Sequence, residues 1–187
     1  MLDYLIIGGG IAGISAAARL SEHGATLVLE AEAHLAYHTS GRSAALYEQN
    51  YGSPSTVALA KAARTDFDGM LSGVLSPRGF LLVCLQGEEA QFEYDLEHMH
   101  LSEVAVADAA KLVPILDSSS VIRTASSATA RDIDTDMMLQ IFARRIHANG
   151  GTVETNQQVT AIDKTKQGWR VTTGSGQYEA QKIVNAA

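Results

Sequence analysis

The feature that most restricts how this chain can fold is a glycine-rich turn between an apolar strand and a helix. An apolar run at residues 4–7 leads directly into Gly-Gly-Gly-Ile-Ala-Gly at residues 8–13. The pattern predicts a strand over 3–8, an amphipathic helix over 11–23 and a second apolar strand over 25–30 that ends at Glu30. Strand, glycine turn, helix, strand and acid follow one another in the order of a dinucleotide-binding βαβ unit.

Each residue type in this unit suits a dinucleotide ligand. Gly8 allows the sharp turn, Gly10 allows the backbone to approach a diphosphate, and Gly13 allows the helix to pack closely on the sheet. The helix N-terminus presents amide N–H groups to the phosphates. Glu30 lies 22 residues after Gly8 and can accept hydrogen bonds from ribose hydroxyls. The predicted cofactor-binding residues of the unit are Gly8, Gly10, Ile11, Ala12, Gly13 and Glu30. The alternative is a glycine-rich turn that binds no ligand.

Composition and charge restrict the partners. The net charge of −7, with the acids spread along the chain, disfavours nucleic acid and anionic membrane surfaces. No apolar run approaches the ~20 residues of a membrane span. The lone Cys84 lies inside an apolar run and has no disulfide partner, so we expect a buried strand thiol and a reducing, cytoplasmic location.

The sequence after residue 30 favours FAD over NAD as the dinucleotide cofactor. Further helices are predicted over 55–67, 87–100, 107–113 and 136–148, and further strands over 79–85, 121–125, 152–155, 159–162, 169–172, 178–180 and 182–185. Closely spaced strands after residue 152 predict a β-meander followed by a final apolar strand, which is typical of FAD domains. The predicted fold is therefore α/β, a Rossmann-like βαβ domain with an inserted β-meander, and the predicted cofactor is FAD. NAD is the alternative.

A family resemblance rests on motifs spread over the whole chain. They are Gly8–Gly13, Glu30-Ala31-Glu32, Tyr37–Ala45, Tyr51-Gly52, Leu75–Arg78, Asp132–Asp136 and Val184–Ala187. With these motifs the chain resembles the N-terminal half of the D-amino acid oxidase/glycine oxidase superfamily of FAD enzymes, and within it the bacterial D-arginine (D-amino acid) dehydrogenases. The resemblance implies an FAD-binding domain over 1–78 and 130–187 and the beginning of an α+β substrate domain over 79–129.

The resemblance also implies additional site residues. The small residues of the segment Ser40, Gly41, Arg42, Ser43, Ala44 and Ala45 would lie beside the isoalloxazine ring, where their size lets the backbone approach a flat ring. Val159 would contact the adenine through its backbone. Ala31 and Glu32 would lie near the adenosine end and Ala186 and Ala187 near the cofactor. Tyr51 matches a tyrosine on the substrate side, and the catalytic residues stay unknown.

The implied reaction is oxidation of the Cα–N bond of a D-amino acid by hydride transfer to flavin N5, with an unidentified electron acceptor. Phe80 replaces an acid of arginine-acting relatives and Leu46 replaces a polar residue, so a neutral or apolar amino acid is expected. The family continues beyond Ala187 for about as many residues again. We therefore expect a fragment, a truncated product or one chain of a split enzyme that binds FAD weakly or not at all and is inactive alone. The alternatives are a 2-hydroxy-acid dehydrogenase of the same superfamily and a non-catalytic subunit that needs a second chain.

Other candidate sites have simpler interpretations. His98 and His100 are two residues apart on a predicted helix and point in different directions, so no metal site is expected. Asp132, Asp134 and Asp136 begin like a calcium loop, but its required glycine and glutamate are absent. His38 is expected to bond to backbone, with cofactor tuning or a covalent flavin bond as alternatives. Arg42 is expected to pair either with the cofactor or in a structural salt bridge.

Overall fold

A computed structural model describes residues 1–187, which form two compact units. The first unit comprises residues 1–44 and 135–187, and the second comprises residues 45–134. The domain boundaries suggested by the resemblance, after residues 78 and 129, stay a prediction for the whole protein.

The strands are β1 (Leu2–Ile7), β2 (Thr26–Leu29), β3 (Leu46–Tyr47), β4 (Leu75–Pro77), β5 (Phe80–Leu85), β6 (Ser102–Val104), β7 (Val121–Ser127), β8 (Arg131–Ile133), β9 (Thr152–Glu154), β10 (Val159–Lys164), β11 (Trp169–Thr173) and β12 (Gly176–Asn185). The helices are α1 (Ile11–Leu20), α2 (Pro54–Asp68), α3 (Glu89–His98), α4 (Val106–Leu112) and α5 (Thr135–Ala148), with one 3₁₀ turn at Thr39–Arg42. None of these helices combines the length and apolarity that a membrane span requires.

The first unit is built on a six-stranded sheet in the order β10-β11-β12-β1-β2-β9. Strand β1 pairs in parallel with both β2 and β12, and β2 pairs in parallel with β9. Strands β10, β11 and β12 pair antiparallel and form the predicted meander. The α/β Rossmann-like fold expected from the sequence is confirmed.

One predicted interruption between two strands is absent from the structure. The sequence suggested two strands, 178–180 and 182–185, but the structure has one continuous strand, β12. Residues 176–180 of this strand pair with β11, and residues 180 and 182–185 pair with β1. Residue 180 pairs with both β11 and β1, so strand pairing passes from one neighbour to the other and β12 continues through the polar residue Gln181.

Alternate residues of the central strands pack on opposite faces of the sheet. One buried cluster joins Leu5, Ile7, Leu27 and Leu29 of β1 and β2 to Val171 and Ala180 of the meander. The opposite face carries Ile6, which is fully buried and packs against α1. Burying an aliphatic side chain of this size stabilises a fold by about 1.5–3 kcal/mol. These two layers therefore hold the ends of β1 and β2 in fixed positions.

The second unit contains two three-stranded sheets, β3-β8-β4 and β5-β7-β6. The sequence patterns missed β3, β4, β6 and β8 because strands of two or three residues are too short to show alternation. Cys84 is fully buried in the core of this unit with Phe92 and Ala125, and burial raises the pKa of its thiol. The expectation of a buried strand thiol is confirmed.

Candidate functional site

A groove of about 570 Å³ opens in the first unit at the carboxyl ends of β1, β2 and β12. This edge of a parallel sheet is where ligands bind in doubly wound α/β folds, and the volume lies in the range of small-molecule sites. Ten of the residues predicted from the sequence line the groove: Gly8, Gly10, Ile11, Ala12, Glu30, Ala31, Ser40, Val159, Ala186 and Ala187. The structure thus brings together residues from both ends of the chain.

The three motif glycines differ in what surrounds them. Gly8 has φ +107°, and a Cβ there would lie 2.5 Å from the carbonyl oxygen of Ala186. A Cβ at Gly13 would lie 1.9 Å from the carbonyl oxygen of Gly8, so α1 approaches the turn more closely than a side chain permits. A Cβ at Gly10 would meet only Ser40 Oγ, at 3.1 Å. Gly10 therefore leaves space in the groove, whereas Gly8 and Gly13 allow backbone segments to meet.

The N-terminus of α1 supplies hydrogen-bond donors at this space. The amide of Ile11 donates to Ser40 Oγ at 3.0 Å and the amide of Ile14 donates to the carbonyl of Gly10, so the amides of Ala12 and Gly13 are the ones left for a ligand. The first turn contains no acidic residue. The first amides of a helix have no acceptor within it and carry a partial positive charge, which suits an anionic ligand such as a diphosphate.

Glu30 is the acid at the end of β2, and it is only 9% exposed. Its Oε2 accepts from the amide of Gly9 at 2.5 Å, and its Oε1 accepts from the amide of Glu32 at 2.9 Å. A carboxylate oxygen can accept two hydrogen bonds, so each oxygen retains a lone pair for another donor. The two backbone bonds fix the carboxylate at the groove wall, in a position to accept hydrogen bonds from hydroxyl groups of a ligand.

The groove loop, which we define as residues 31–42, forms the other wall. The amide of Ala36 donates to the carbonyl of Gly9 at 3.1 Å, and Ala36 itself has φ +57°, a left-handed conformation that a residue with a Cβ rarely adopts. A Cβ at Gly41 would lie 2.2 Å from the carbonyl oxygen of Ala36. Gly41 therefore supports the loop and does not line the groove.

Two residues of this loop have partners that differ from expectation. The prediction that His38 bonds to backbone is wrong, because its Nε2 lies 2.9 Å from Glu32 Oε1. Arg42 Nε donates to the carbonyl of Tyr37 at 3.2 Å, and the guanidinium lies over the Tyr37 ring. Arg42 thus forms no salt bridge in the structure, and it does not line the groove; its pairing with the cofactor stays a prediction.

The remaining predicted residues lie outside the groove lining. Glu32 is a half-buried residue of the groove loop, and Ser43 and Ala44 are exposed. Ala45 and Tyr51 belong to the second unit. Their proposed roles beside the flavin ring and the substrate stay predictions.

Sequence reasoning missed Gln157 and Gln158, which line the groove beside Val159. The Oε1 of Gln157 accepts a hydrogen bond from Thr173 Oγ1 at 2.9 Å, which fixes its side chain against the meander. The only signal in the sequence was their position directly before Val159, since the glutamines carry no motif of their own.

The residues that suggested metal sites have other partners. His98 Nδ1 lies 2.8 Å from the carbonyl oxygen of Tyr94 and its ring stacks on the Tyr94 ring. Asp132 pairs with Arg78 at 2.8 Å. No group of three or more His, Cys, Asp or Glu side chains is arranged to hold a metal ion.

Comparison with known proteins agrees with this geometry. A family model described as FAD dependent oxidoreductase (DAO) matches residues 3–187. The fold is similar to L-proline dehydrogenase from P. horikoshii (TM-score 0.80, 21% identity, covering 98% of this chain and 52% of that one). It is also similar to FAD-bound L-α-glycerophosphate oxidase from Mycoplasma pneumoniae (TM-score 0.86, 20% identity, covering 100% of this chain and 54% of that one). A third similar structure is glycine oxidase from Geobacillus kaustophilus (TM-score 0.83, 17% identity, covering 100% of this chain and 55% of that one). The chain spans about half the length of these solved structures.

Proposed function

Since this chain belongs to the DAO family of FAD-dependent oxidoreductases, we propose that the groove of its first unit is the FAD site. The observation that carries the proposal is the convergence of the glycine turn, the α1 N-terminus and the buried Glu30 on one groove. The arrangement suits the parts of FAD. The α1 amides match a diphosphate, and the Glu30 carboxylate matches ribose hydroxyls.

Each wall of the groove has its own role in this proposal. Gly8, Gly10 and the first turn of α1 hold the diphosphate, and Glu30 accepts hydrogen bonds from the hydroxyl groups of the adenosine ribose. Val159 contacts the adenine, and the segment that starts at Ser40 extends along the flavin. FAD, when bound, supplies the hydride acceptor for substrate oxidation.

We further propose that the whole protein oxidises the Cα–N bond of an amino acid. The support is the family match together with the motif resemblance to D-amino acid dehydrogenases. Two of the similar structures are named for amino acid substrates, proline and glycine. The chain spans about half the length of those structures, so we also propose, for the whole protein, a preference for D-amino acids and transfer of the electrons to a separate acceptor. We propose a cytoplasmic location as well, supported by the single buried thiol of Cys84.

The second candidate is oxidation of a C–O bond. It is favoured by the similarity to a structure named as an α-glycerophosphate oxidase. A 2-hydroxy acid presents the same carboxylate as an amino acid but replaces the amine with a hydroxyl group. The two candidates therefore differ at the oxidised atom and share the cofactor site.

The complete gene product that contains these residues should be purified and its visible spectrum recorded. We expect a yellow protein with flavin absorbance at about 450 nm. D-amino acids should bleach this absorbance without oxygen and reduce an artificial dye, with neutral side chains preferred over D-arginine. A Glu30→Ala variant should lose FAD during purification, whereas Glu97→Ala, at an exposed position on α3, should keep it.

The outcomes separate the proposals. Colourless protein that binds no added FAD refutes the FAD site. Yellow protein that is bleached by 2-hydroxy acids or glycerol phosphate, and by no amino acid, supports the second candidate. We expect residues 1–187 alone to bind FAD weakly and to reduce no dye.

A further inference from the structure

We propose that Gln157 recognises the adenine of FAD, with its side-chain amide donating a hydrogen bond to a ring nitrogen of the base. This inference rests on the proposed FAD site and adds a specific contact to it. Thr173 is a positioning residue in this proposal, because it holds Gln157 and does not line the groove.

Gln157 lies directly beside the residue proposed to hold the adenosine ribose. Its backbone amide donates to the carbonyl oxygen of Glu30 at 2.8 Å, and Gln157 itself lines the groove. Val159, proposed to contact the adenine, follows two residues later and pairs with Thr173 of β11. The adenine of the dinucleotide is attached to the ribose that Glu30 is proposed to hold. Gln157 is therefore placed at the adenine end of the groove.

The side-chain oxygen of Gln157 is fully used within the protein. Thr173 Oγ1 donates to Oε1 at 2.9 Å, and Ser175 Oγ donates to the same atom. The amide of Ser175 in turn donates to Thr173 Oγ1 at 3.3 Å, so the Thr173 hydroxyl accepts one bond and uses its hydrogen for Gln157. An amide oxygen has two lone pairs, and both are occupied here. Oε1 therefore has no capacity left for a ligand.

The side-chain nitrogen of Gln157, in contrast, is free. Nε2 carries two N–H donors, and it forms no hydrogen bond in the structure. This nitrogen is not buried, because the structure leaves no buried side-chain nitrogen without a partner. Gln157 thus offers donors, and no acceptor, to a ligand in the groove. Unprotonated ring nitrogens of adenine accept hydrogen bonds, and glutamine amides bind adenine in this way in other proteins.

The two hydroxyl groups prepare the Gln157 amide for binding. Because Thr173 and Ser175 hold Oε1, the amide is ordered before the ligand arrives, and little further side-chain entropy is lost on binding. Gln158 is the other glutamine of the groove lining. Its side chain is exposed and has no hydrogen-bond partner, so ordering it would cost more entropy. Gln157 is therefore the glutamine assigned to the base.

The experiment changes both partners of the proposed hydrogen bond. The FAD-free complete gene product is titrated, by flavin fluorescence, with FAD and with a set of FAD analogues. In each analogue a CH group replaces a different acceptor nitrogen of the adenine ring, and the flavin is unchanged. In wild type, one analogue should bind about 2- to 10-fold more weakly than FAD, the loss expected for one hydrogen bond.

Gln157→Met keeps a similar side-chain length and removes the N–H donors. FAD should bind to this variant about 2- to 10-fold more weakly than to wild type, and the discriminated analogue should bind it as tightly as FAD does. The matched control is Gln167→Met, at an exposed position of the turn between β10 and β11, outside the groove lining. It should retain the wild-type preference for FAD over the analogue.

Thr173→Val tests the positioning role. Valine has nearly the shape of threonine and lacks the hydroxyl that holds Gln157, and the residue is only 5% exposed. FAD affinity should fall in the wild-type background, by no more than in Gln157→Met. It should not fall further when Thr173→Val is added to Gln157→Met, since Thr173 acts through Gln157. Unchanged affinity in Thr173→Val, or equal losses in both backgrounds, overturns the positioning role.

Equal binding of FAD and all analogues by wild type, or a preference that persists in Gln157→Met, overturns the recognition of adenine by Gln157 and leaves the FAD site intact. Absence of FAD binding in wild type refutes the proposed function and this inference with it. A preference that Gln157→Met removes and Gln167→Met retains supports the assignment.

Discussion

Replacing Gly10 with alanine should weaken FAD binding while leaving the chain folded. Gly10 precedes α1 with φ −76° and ψ 179°, an extended conformation that alanine adopts easily. The added methyl group would meet only Ser40 Oγ, at 3.1 Å, in the groove. Exchanging glycine for alanine before a helix costs about 0.5–1 kcal/mol, or ~1–4 °C in melting temperature for a chain of this size.

The effect on the cofactor should be larger than the effect on stability. The methyl group fills the space through which a diphosphate approaches the backbone. We expect the dissociation constant for FAD to rise at least about tenfold, which corresponds to ~1.4 kcal/mol.

Gly13→Ala should act on the fold first. Its methyl group would lie 1.9 Å from the carbonyl oxygen of Gly8, where ordinary contacts begin at 3.4 Å. The turn must therefore move, and overpacking of this kind costs about 1–3 kcal/mol or more. The gain in helix propensity, about 1 kcal/mol, offsets only part of that cost. Melting temperature and FAD affinity should fall together in this variant.

The assay combines thermal denaturation followed by circular dichroism with FAD titration followed by fluorescence. Gly174→Ala is the control, because no atom lies within 4 Å of its added Cβ, and both quantities should stay at wild-type values. A Gly10→Ala protein with wild-type FAD affinity would refute the placement of the diphosphate over Gly10. A Gly13→Ala protein with unchanged melting temperature would refute the close packing of α1 on the turn.

Two further predictions concern stability. Ala36→Gly removes the strain of φ +57° and should raise the free energy of unfolding by about 0.5–1 kcal/mol, whereas Ala60→Gly, inside α2, should lower it by about 1 kcal/mol in the same urea titration. Asp117 accepts hydrogen bonds from Ser119 and Ser120, which lower its pKa to about 2. Because the folded-state pKa is depressed, Asp117 stabilises the fold above about pH 4 and this contribution disappears as the pH falls towards 2. Asp117→Asn should therefore lower the urea midpoint at pH 7 and converge with wild type under acid conditions. An equal difference at both pH values would contradict this assignment.

The sequence alone was sufficient to predict the elements that carry the site. Helix α1, strands β1 and β2 and the position of Glu30 follow from local patterns, because a helix repeats every 3.6 residues and a strand every two. The glycine turn was also recognisable locally, since its spacing reflects backbone geometry within six residues.

Only the tertiary structure decided which groups meet across the loops. Ser40 reaches the Ile11 amide over 29 positions, and Glu30 reaches the Gly9 amide over 21. Strand β12 continues through a polar residue because its two halves have different neighbours. The partner of His38 is Glu32 because the left-handed turn at Ala36 folds the loop back on itself. Such contacts depend on how the chain closes in three dimensions, and no local repeat in the residues encodes them.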